Sequence, residues 1–179
     1  MKLWTLLLIT VAALTAEQPR FDKDGKLQKP ETVREWVYLS SGLGMQYGND
    51  PAGTSFTNVF AEPTAYREFL KTGKWPEGTM LAMEVRRSQT EGSINKGGKF
   101  QTALMATEVT VKDSKRFKDD GWEYFAFSGN TTSAAGIGKS GGCNACHNKN
   151  AAVENTFVQF YPTLIEVAKA KGTYKQPVE

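Results

Sequence analysis

Residues 122–147 read WEYFAFSGNTTSAAGIGKSGGCNACH, and a change of period inside this stretch decides the fold class. In Trp122 to Ser128 the bulky residues alternate. Trp122, Tyr124 and Ala126 point one way and Glu123, Phe125 and Phe127 the other, which is the two-residue period of a strand. Ser128 to Gly142 is rich in Gly, Ser and Thr and reads as a loop. The chain then reaches Cys143-Asn-Ala-Cys146-His147, a spacing suited to a helical turn, because residues separated by three or four positions share a helix face.

Working outward, the upstream chain repeats the strand pattern. Thr79 to Arg87 and Phe100 to Val111 are strand candidates joined by a loop containing Gly, Ser and Asn, and Phe56 to Ala61 alternates as a short strand would. Pro63 to Thr72 reads as a helix that Pro63 starts and Gly73 stops. Pro30 to Leu39 opens with Pro and an acidic residue, and Val33, Trp36, Val37 and Leu39 roughly follow a helical stripe, so a helix is expected there. Ser41 to Thr54, with four glycines and an Asn-Asp-Pro turn, is expected to be a loop. Downstream, Phe157, Phe160, Leu164, Ile165 and Ala168 form the apolar face of a C-terminal helix that either starts or kinks at Pro162. Strands with helices at either end make an α+β domain: an antiparallel β-sheet flanked by helices.

The pentapeptide 143–147 holds both cysteines and the only histidine of the chain. Cys-x-x-Cys-His is the signal for covalent c-type haem attachment, each thiol adding to a vinyl group while the histidine reaches the iron as proximal ligand. Other readings of a Cys-x-x-Cys pair are a redox dithiol, half of a zinc site or a short disulfide. A dithiol motif expects a buried strand before it, whereas a Gly- and Ser-rich loop precedes this one. A closed zinc site takes four Cys or His ligands, and three are present. The motif therefore points to one haem c, held through Cys143 and Cys146 with His147 as the metal ligand. Because the histidine is alone, bis-histidine ligation within the chain is excluded, while Met45, Met80, Met83 and Met105 leave a thioether ligand open.

The N-terminus fits that chemistry. Lys2, an apolar run from Leu3 to Leu14 and the small residues Thr15 and Ala16 read as a secretory signal peptide over residues 1–16, the alternative being an uncleaved anchor. Residues 17–30, polar and flanked by Pro, are expected to be an extended leader, and 31–175 the haem domain. A periplasmic location follows, with no membrane association after signal removal. The 179 residues carry a formal net charge of +3 and are 40% hydrophobic, which suits one globular domain. No basic run or aromatic-basic stripe points to nucleic acid.

Most single c-haem electron carriers are small helical domains with the motif near the N-terminus; here it follows a run of strands. Arg34-Glu35-Trp36-Val37, Tyr66-Arg67-Glu68-Phe69-Leu70-Lys71-Thr72-Gly73 and Val111-Lys112-Asp113-Ser114-Lys115-Arg116-Phe117 resemble the cytochrome P-460 family, which includes cytochrome c′-beta. So do Gly121-Trp122 with its following aromatics, and Cys143 to His147 followed by Phe157-Val-Gln-Phe-Tyr-Pro162. The resemblance spans nearly the whole mature chain. It implies an antiparallel sheet with flanking helices, a homodimer, and a high-spin haem with His147 on one side and a water-sized or vacant site on the other.

The resemblance also divides the family by its distal side. Hydroxylamine-oxidising members place a lysine, joined covalently to the porphyrin, in the strand after a Gly-Thr pair. The c′-beta members carry an apolar cap there, commonly phenylalanine, and bind nitric oxide or carbon monoxide. In Gly78-Thr79-Met80-Leu81-Ala82-Met83 the lysine position is held by Met83, and no lysine occurs between Lys74 and Lys96. Phe56 aligns with a second distal phenylalanine. Taken without the alignment, Phe56 reads as a core residue and Met83 equally as core filler. Glu84, next to Met83 on a strand, should face away from the haem, and Arg86 and Arg87 either reach a propionate or end a solvated strand. The expected function is a gas-binding monohaem cytochrome with an apolar distal pocket that binds or detoxifies nitric oxide. The alternatives are a hydroxylamine- or nitric oxide-oxidising cytochrome of the same fold, with the haem modified, and a His/Met electron carrier with a redox partner protein.

Overall fold

The computed structural model describes residues 16–45, 55–92, 94 and 96–176. Residues 1–15 of the expected signal peptide, and residues 46–54 of the expected loop, lie outside the described residues. Among the described residues no helix is long and apolar enough to cross a membrane.

The strands run β1 (Leu27–Gln28), β2 (Val37–Leu43), β3 (Ser55–Ala61), β4 (Met80–Gln89), β5 (Phe100–Lys112), β6 (Trp122–Ser128) and β7 (Ser133–Ala134). The helices are α1 (Pro63–Thr72), α2 (Gly142–Asn150) and α3 (Pro162–Ala170). Strands β2-β3-β4-β5-β6 form one five-stranded antiparallel sheet in sequence order, and β1 pairs with β7 beside it. The α+β class and the antiparallel sheet with flanking helices are as expected from the sequence.

Alternation within the strands divides the core into two clusters, one on each side of the sheet. Leu39, Ala61, Leu81 and Trp122 face α1 and α3, where Phe69, Trp75, Val158, Leu164 and Ala168 are buried. Phe60, Met80, Ala82, Val109, Val111, Phe125 and Phe127 face the other way, covered by Leu27, Val33, Trp36 and Ala134. At about 25 cal/mol per Å² of apolar area removed from water, each large side chain here contributes about 1.5–3 kcal/mol to burial.

Helix α1 is specified locally. The Glu62 carboxylate accepts the Thr64 and Ala65 backbone N–H groups, Pro63 occupies the first turn, and Gly73 closes the helix at φ 71°. Helix α3 starts at Pro162 rather than kinking there, and Phe157 and Phe160 precede it, around a 3-10 turn at Val158–Phe160.

Three expectations fail in instructive ways. The helix expected over Pro30 to Leu39 is only a 3-10 turn at Val33–Glu35, and the chain is already strand at Val37. Pairing with β3 (Val37 opposite Ala61, Tyr38 opposite Phe60) overrides the helix-start chemistry. The apolar residues then serve opposite faces: Trp36 packs in one cluster and Leu39 in the other, as no single helical stripe allows. The expected loop from Ser41 accordingly begins late, since β2 runs to Leu43. Residues 17–30 are also folded rather than extended: Phe21 bridges to Leu27 around a turn, and Leu27 is fully buried.

Candidate haem site

The site lies on the face of the sheet that carries Leu81 and Trp122, in a cavity of about 660 Å³ between the strands and α2. That volume is in the range of sites for drug-sized ligands and cofactors. Cys143, Cys146 and His147 line one side; Val59 and Met83 line the opposite side.

Helix α2 carries the cysteines and the histidine, yet among its residues only Asn144 is buried. Its cavity side (Cys143, Cys146, His147 and Asn150) is half-buried around the open volume. A short helix with so little apolar contact depends on something outside itself for packing. A flat apolar plate in the cavity would supply it.

His147 is presented for ligation. Its ring lies between Tyr124 and Phe157, with centroid separations of 4.5 and 4.3 Å. Its Nδ1 is 2.7 Å from the Asn155 carbonyl oxygen. A carbonyl only accepts, so Nδ1 carries the proton and Nε2 keeps the lone pair that iron needs. Burial lowers the imidazole pKa, partly offset by the Asn155 bond, so the ring is neutral, as a metal ligand must be. Around the two thiols, burial pushes Cys143 up, and the Glu108 charge adds to the effect.

The acceptor of that bond sits on a turn fixed from three directions. Glu154 has φ 50°, a left-handed conformation that costs a non-glycine residue roughly 1–2 kcal/mol. Lys112 Nζ donates to both Glu154 carboxylate oxygens (2.9 and 3.0 Å) and to the Trp75 carbonyl (2.7 Å). Trp75 Nε1 donates to Thr156 Oγ1 at 2.8 Å, and Thr156 Oγ1 donates to the Val153 carbonyl at 2.8 Å. Asn155 Nδ2 donates to Asp120 Oδ2 at 2.9 Å. Strain of this kind persists only where surrounding bonds over-determine it.

The facing wall is the sheet itself. Met83 projects into the cavity, with Val59 opposite it on β3 and Glu108 opposite it on β5. Glu108 is a carboxyl whose pKa burial alone raises. Sequence reasoning passed over it: the strand pattern shows its parity, but only the β4–β5 register places it across from Met83. Asp120 and Asn155 were passed over too, because their roles arise from contacts between distant segments.

Phe56 is a correction. Thr57 and Val59 line the cavity, so alternation sends Phe56 to the opposite face, outside the lining residues. Glu84 lies on that far face as expected, buried and paired with Arg34 and Arg86, each at 2.8 Å. Burial opposes its charge, but the arginines hold its carboxyl below the usual range. Arg86 is thereby committed to Glu84 rather than to a propionate, and Arg87 is exposed. Among the methionines, Met80 is buried in the far cluster and Met105 is exposed, which leaves Met45 and Met83 at the cavity.

Residues 30–158 match the family described as Cytochrome P460, a span that contains the cysteine pair, His147, Met83 and Glu108. The chain belongs to the cytochrome P460 family. No curated protein matches it. Membership makes it a monohaem cytochrome related to hydroxylamine and nitric oxide chemistry, and implies a haem c cofactor. The cavity, the neutral imidazole and the paired thiols fit that group.

Proposed function

We propose that this chain is an exported, periplasmic c-type cytochrome of the c′-beta kind that binds nitric oxide, and also carbon monoxide, at a haem open on one side. Cys143 and Cys146 would hold the porphyrin through thioethers, and His147 Nε2 would ligate the iron. The bound haem supplies a ferrous centre able to take a small diatomic ligand without proton transfer. The observation that supports the reading is the cavity lining: among the described lining residues there is no lysine to form a further porphyrin bond, and Val59 and Met83 are apolar. The chain's own part is to fix the imidazole, exclude bulk water with Phe157, Leu81 and Val59, and leave the opposite side free for a small ligand.

The test is the visible spectrum of the reduced, haem-loaded protein before and after nitric oxide. A shifted Soret band is expected, and an unchanged spectrum rejects the reading. The proposal includes a homodimer, a redox partner protein and a soluble mature form free of nucleic acid.

A second reading is favoured by Glu108. Hydroxylamine oxidation releases protons as electrons leave, and a carboxyl whose pKa is raised towards the working pH can accept them. Under that reading Glu108 takes the proton, and the Glu108→Gln variant loses hydroxylamine oxidation while still binding nitric oxide. An acid-denatured haem of unmodified mass separates the c′-beta reading from a cross-linked cofactor. Met45 and Met83 keep a His/Met electron carrier as the third reading, which predicts a sulfur-to-iron charge-transfer band in the oxidised spectrum.

A further inference from the structure

Asp120 lies just before β6, where Gly121 turns the chain at φ 79°. Five donors converge on its carboxylate. Oδ1 accepts from Lys139 Nζ and from the Trp122 backbone N–H at 3.0 Å. Oδ2 accepts from the amide groups of Asn144 at 3.0 Å, Asn148 at 3.2 Å and Asn155 at 2.9 Å. Burial opposes the charge, yet Lys139 and the amides outweigh it, and Asp120 stays ionised well below the usual carboxylate range.

The origin of those donors gives the cluster its meaning. Asn144 and Asn148 stand one turn apart on α2, the helix that carries His147, and Asn148 Nδ2 also donates to Asn144 Oδ1 at 3.0 Å. Asn155 belongs to the turn whose backbone carbonyl accepts the His147 Nδ1 proton. One carboxylate thus grips both partners of that hydrogen bond: the helix behind the imidazole and the turn behind its acceptor.

We propose that Asp120 is the positioning residue of the axial histidine, setting the length and aim of the His147–Asn155 bond and through it the electron donation of Nε2. The inference rests on His147 being the iron's axial ligand. Its physics is that of a partner behind a metal ligand. A hydrogen bond donated by the Nδ1–H raises imidazole basicity at Nε2, and its strength falls steeply with distance and angle. Helix α2 has only Asn144 buried, so its seat depends on polar contacts, and Asp120 supplies the anchor for two of them. On the turn side, the left-handed Glu154 is held by Lys112 and by the Trp75–Thr156 bond, and Asn155 is tethered by Asp120. Releasing that tether lets the turn relax and the Nδ1 bond lengthen. A less basic imidazole favours ferrous over ferric iron.

The experiment uses the haem-loaded protein and four variants: Asp120→Asn, Asp120→Glu, Asn155→Ala and the Asp120→Asn/Asn155→Ala double. Two quantities are read: the iron–histidine stretching frequency of the ferrous form by resonance Raman, and the midpoint potential. Asp120→Asn is expected to lower the frequency and raise the potential, and Asp120→Glu to restore most of both. Asn155→Ala keeps the backbone carbonyl but loses the amide that Asp120 holds, so it shifts both readouts in the same direction. The double variant moves no further than Asp120→Asn, since both act through one link. A folded, haem-loaded Asp120→Asn protein with the wild-type frequency overturns the proposal. So does a double variant whose shift is the full sum of two non-zero single shifts, which would mark independent effects; a simple loss of charge near the iron would instead shift Asp120→Asn and leave Asn155→Ala at the wild-type frequency. If Asp120→Asn fails to mature, Asn155→Ala decides: a wild-type frequency there overturns the proposal. A wild-type protein lacking any iron–histidine band removes the axial assignment itself, a failure distinct from a band that ignores Asp120.

Discussion

The two walls of the cavity are built on opposite principles. Behind His147 stand a carboxylate with five donors, a left-handed residue pinned by Lys112, and a tryptophan N–H on Thr156. Facing it, Val59 and Met83 present hydrocarbon and sulfur, and Glu108 is the one carboxyl among the residues lining that wall. One wall uses many directional bonds to fix a single group. The other has few, which suits a ligand that arrives and leaves. Orientation is concentrated on the side that, under the proposed function, would hold the iron.

The largest effect should come from breaking the first wall at its tip. His147→Ala removes the only imidazole of the chain, so the native axial spectrum should be lost almost entirely, and haem yield should fall. Electronic spectra of the purified variant check this, and a wild-type spectrum with full haem content contradicts it.

Next comes the support behind the tip. Lys112→Met strips the half-buried Glu154 of its partner while leaving its φ of 50° in place. The pair retains some solvent access, with 14% and 26% of the two side chains exposed, so the loss should be about 2 kcal/mol rather than the larger penalty of a fully buried pair. Urea unfolding measures it. A change under a few tenths of a kcal/mol would mean that the turn holds itself.

How far the sequence disclosed this arrangement follows from range. Strands β4, β5 and β6 and helix α1 were legible because their periods and caps are local. The segment 30–39 was misread because its outcome was decided by β3, far along the chain. In the site, the Cys143–His147 spacing is local and points to its proposed chemistry without any distant contact. Alignment points to both Met83 and Phe56; Met83 lines the cavity, whereas the alternation of β3 turns Phe56 to the other face. Asp120, Asn155 and Glu108 were invisible for a further reason: each acquires its role only when distant segments converge.

A smaller effect tests the second wall. Burial raises the Glu108 pKa, so the folded protein binds its proton more tightly than the unfolded chain does. Stability from this group is therefore greatest at low pH, and falls as pH rises from the unfolded value through the raised one. Glu108→Gln should remove that slope, leaving the variant relatively more stable at neutral pH. Melting temperatures across the acid range report it. Parallel wild-type and variant profiles would show that the carboxyl is not desolvated in the folded protein.

The smallest expected effect on ligand binding lies behind the second wall. Phe56 is one residue from Thr57, which lines the cavity, yet it points to the far side of β3. Phe56→Leu should cost about 1 kcal/mol of stability through lost contact and leave nitric oxide association unchanged. Val59→Phe adds bulk on the cavity side of the same strand and should slow association while changing stability little. Stopped-flow rates on both variants decide whether the face of a residue, rather than its nearness in sequence, governs access to the iron. Equal slowing in the two would mean that the strand moves as a unit, and the wall would then be a gate rather than a fixed surface.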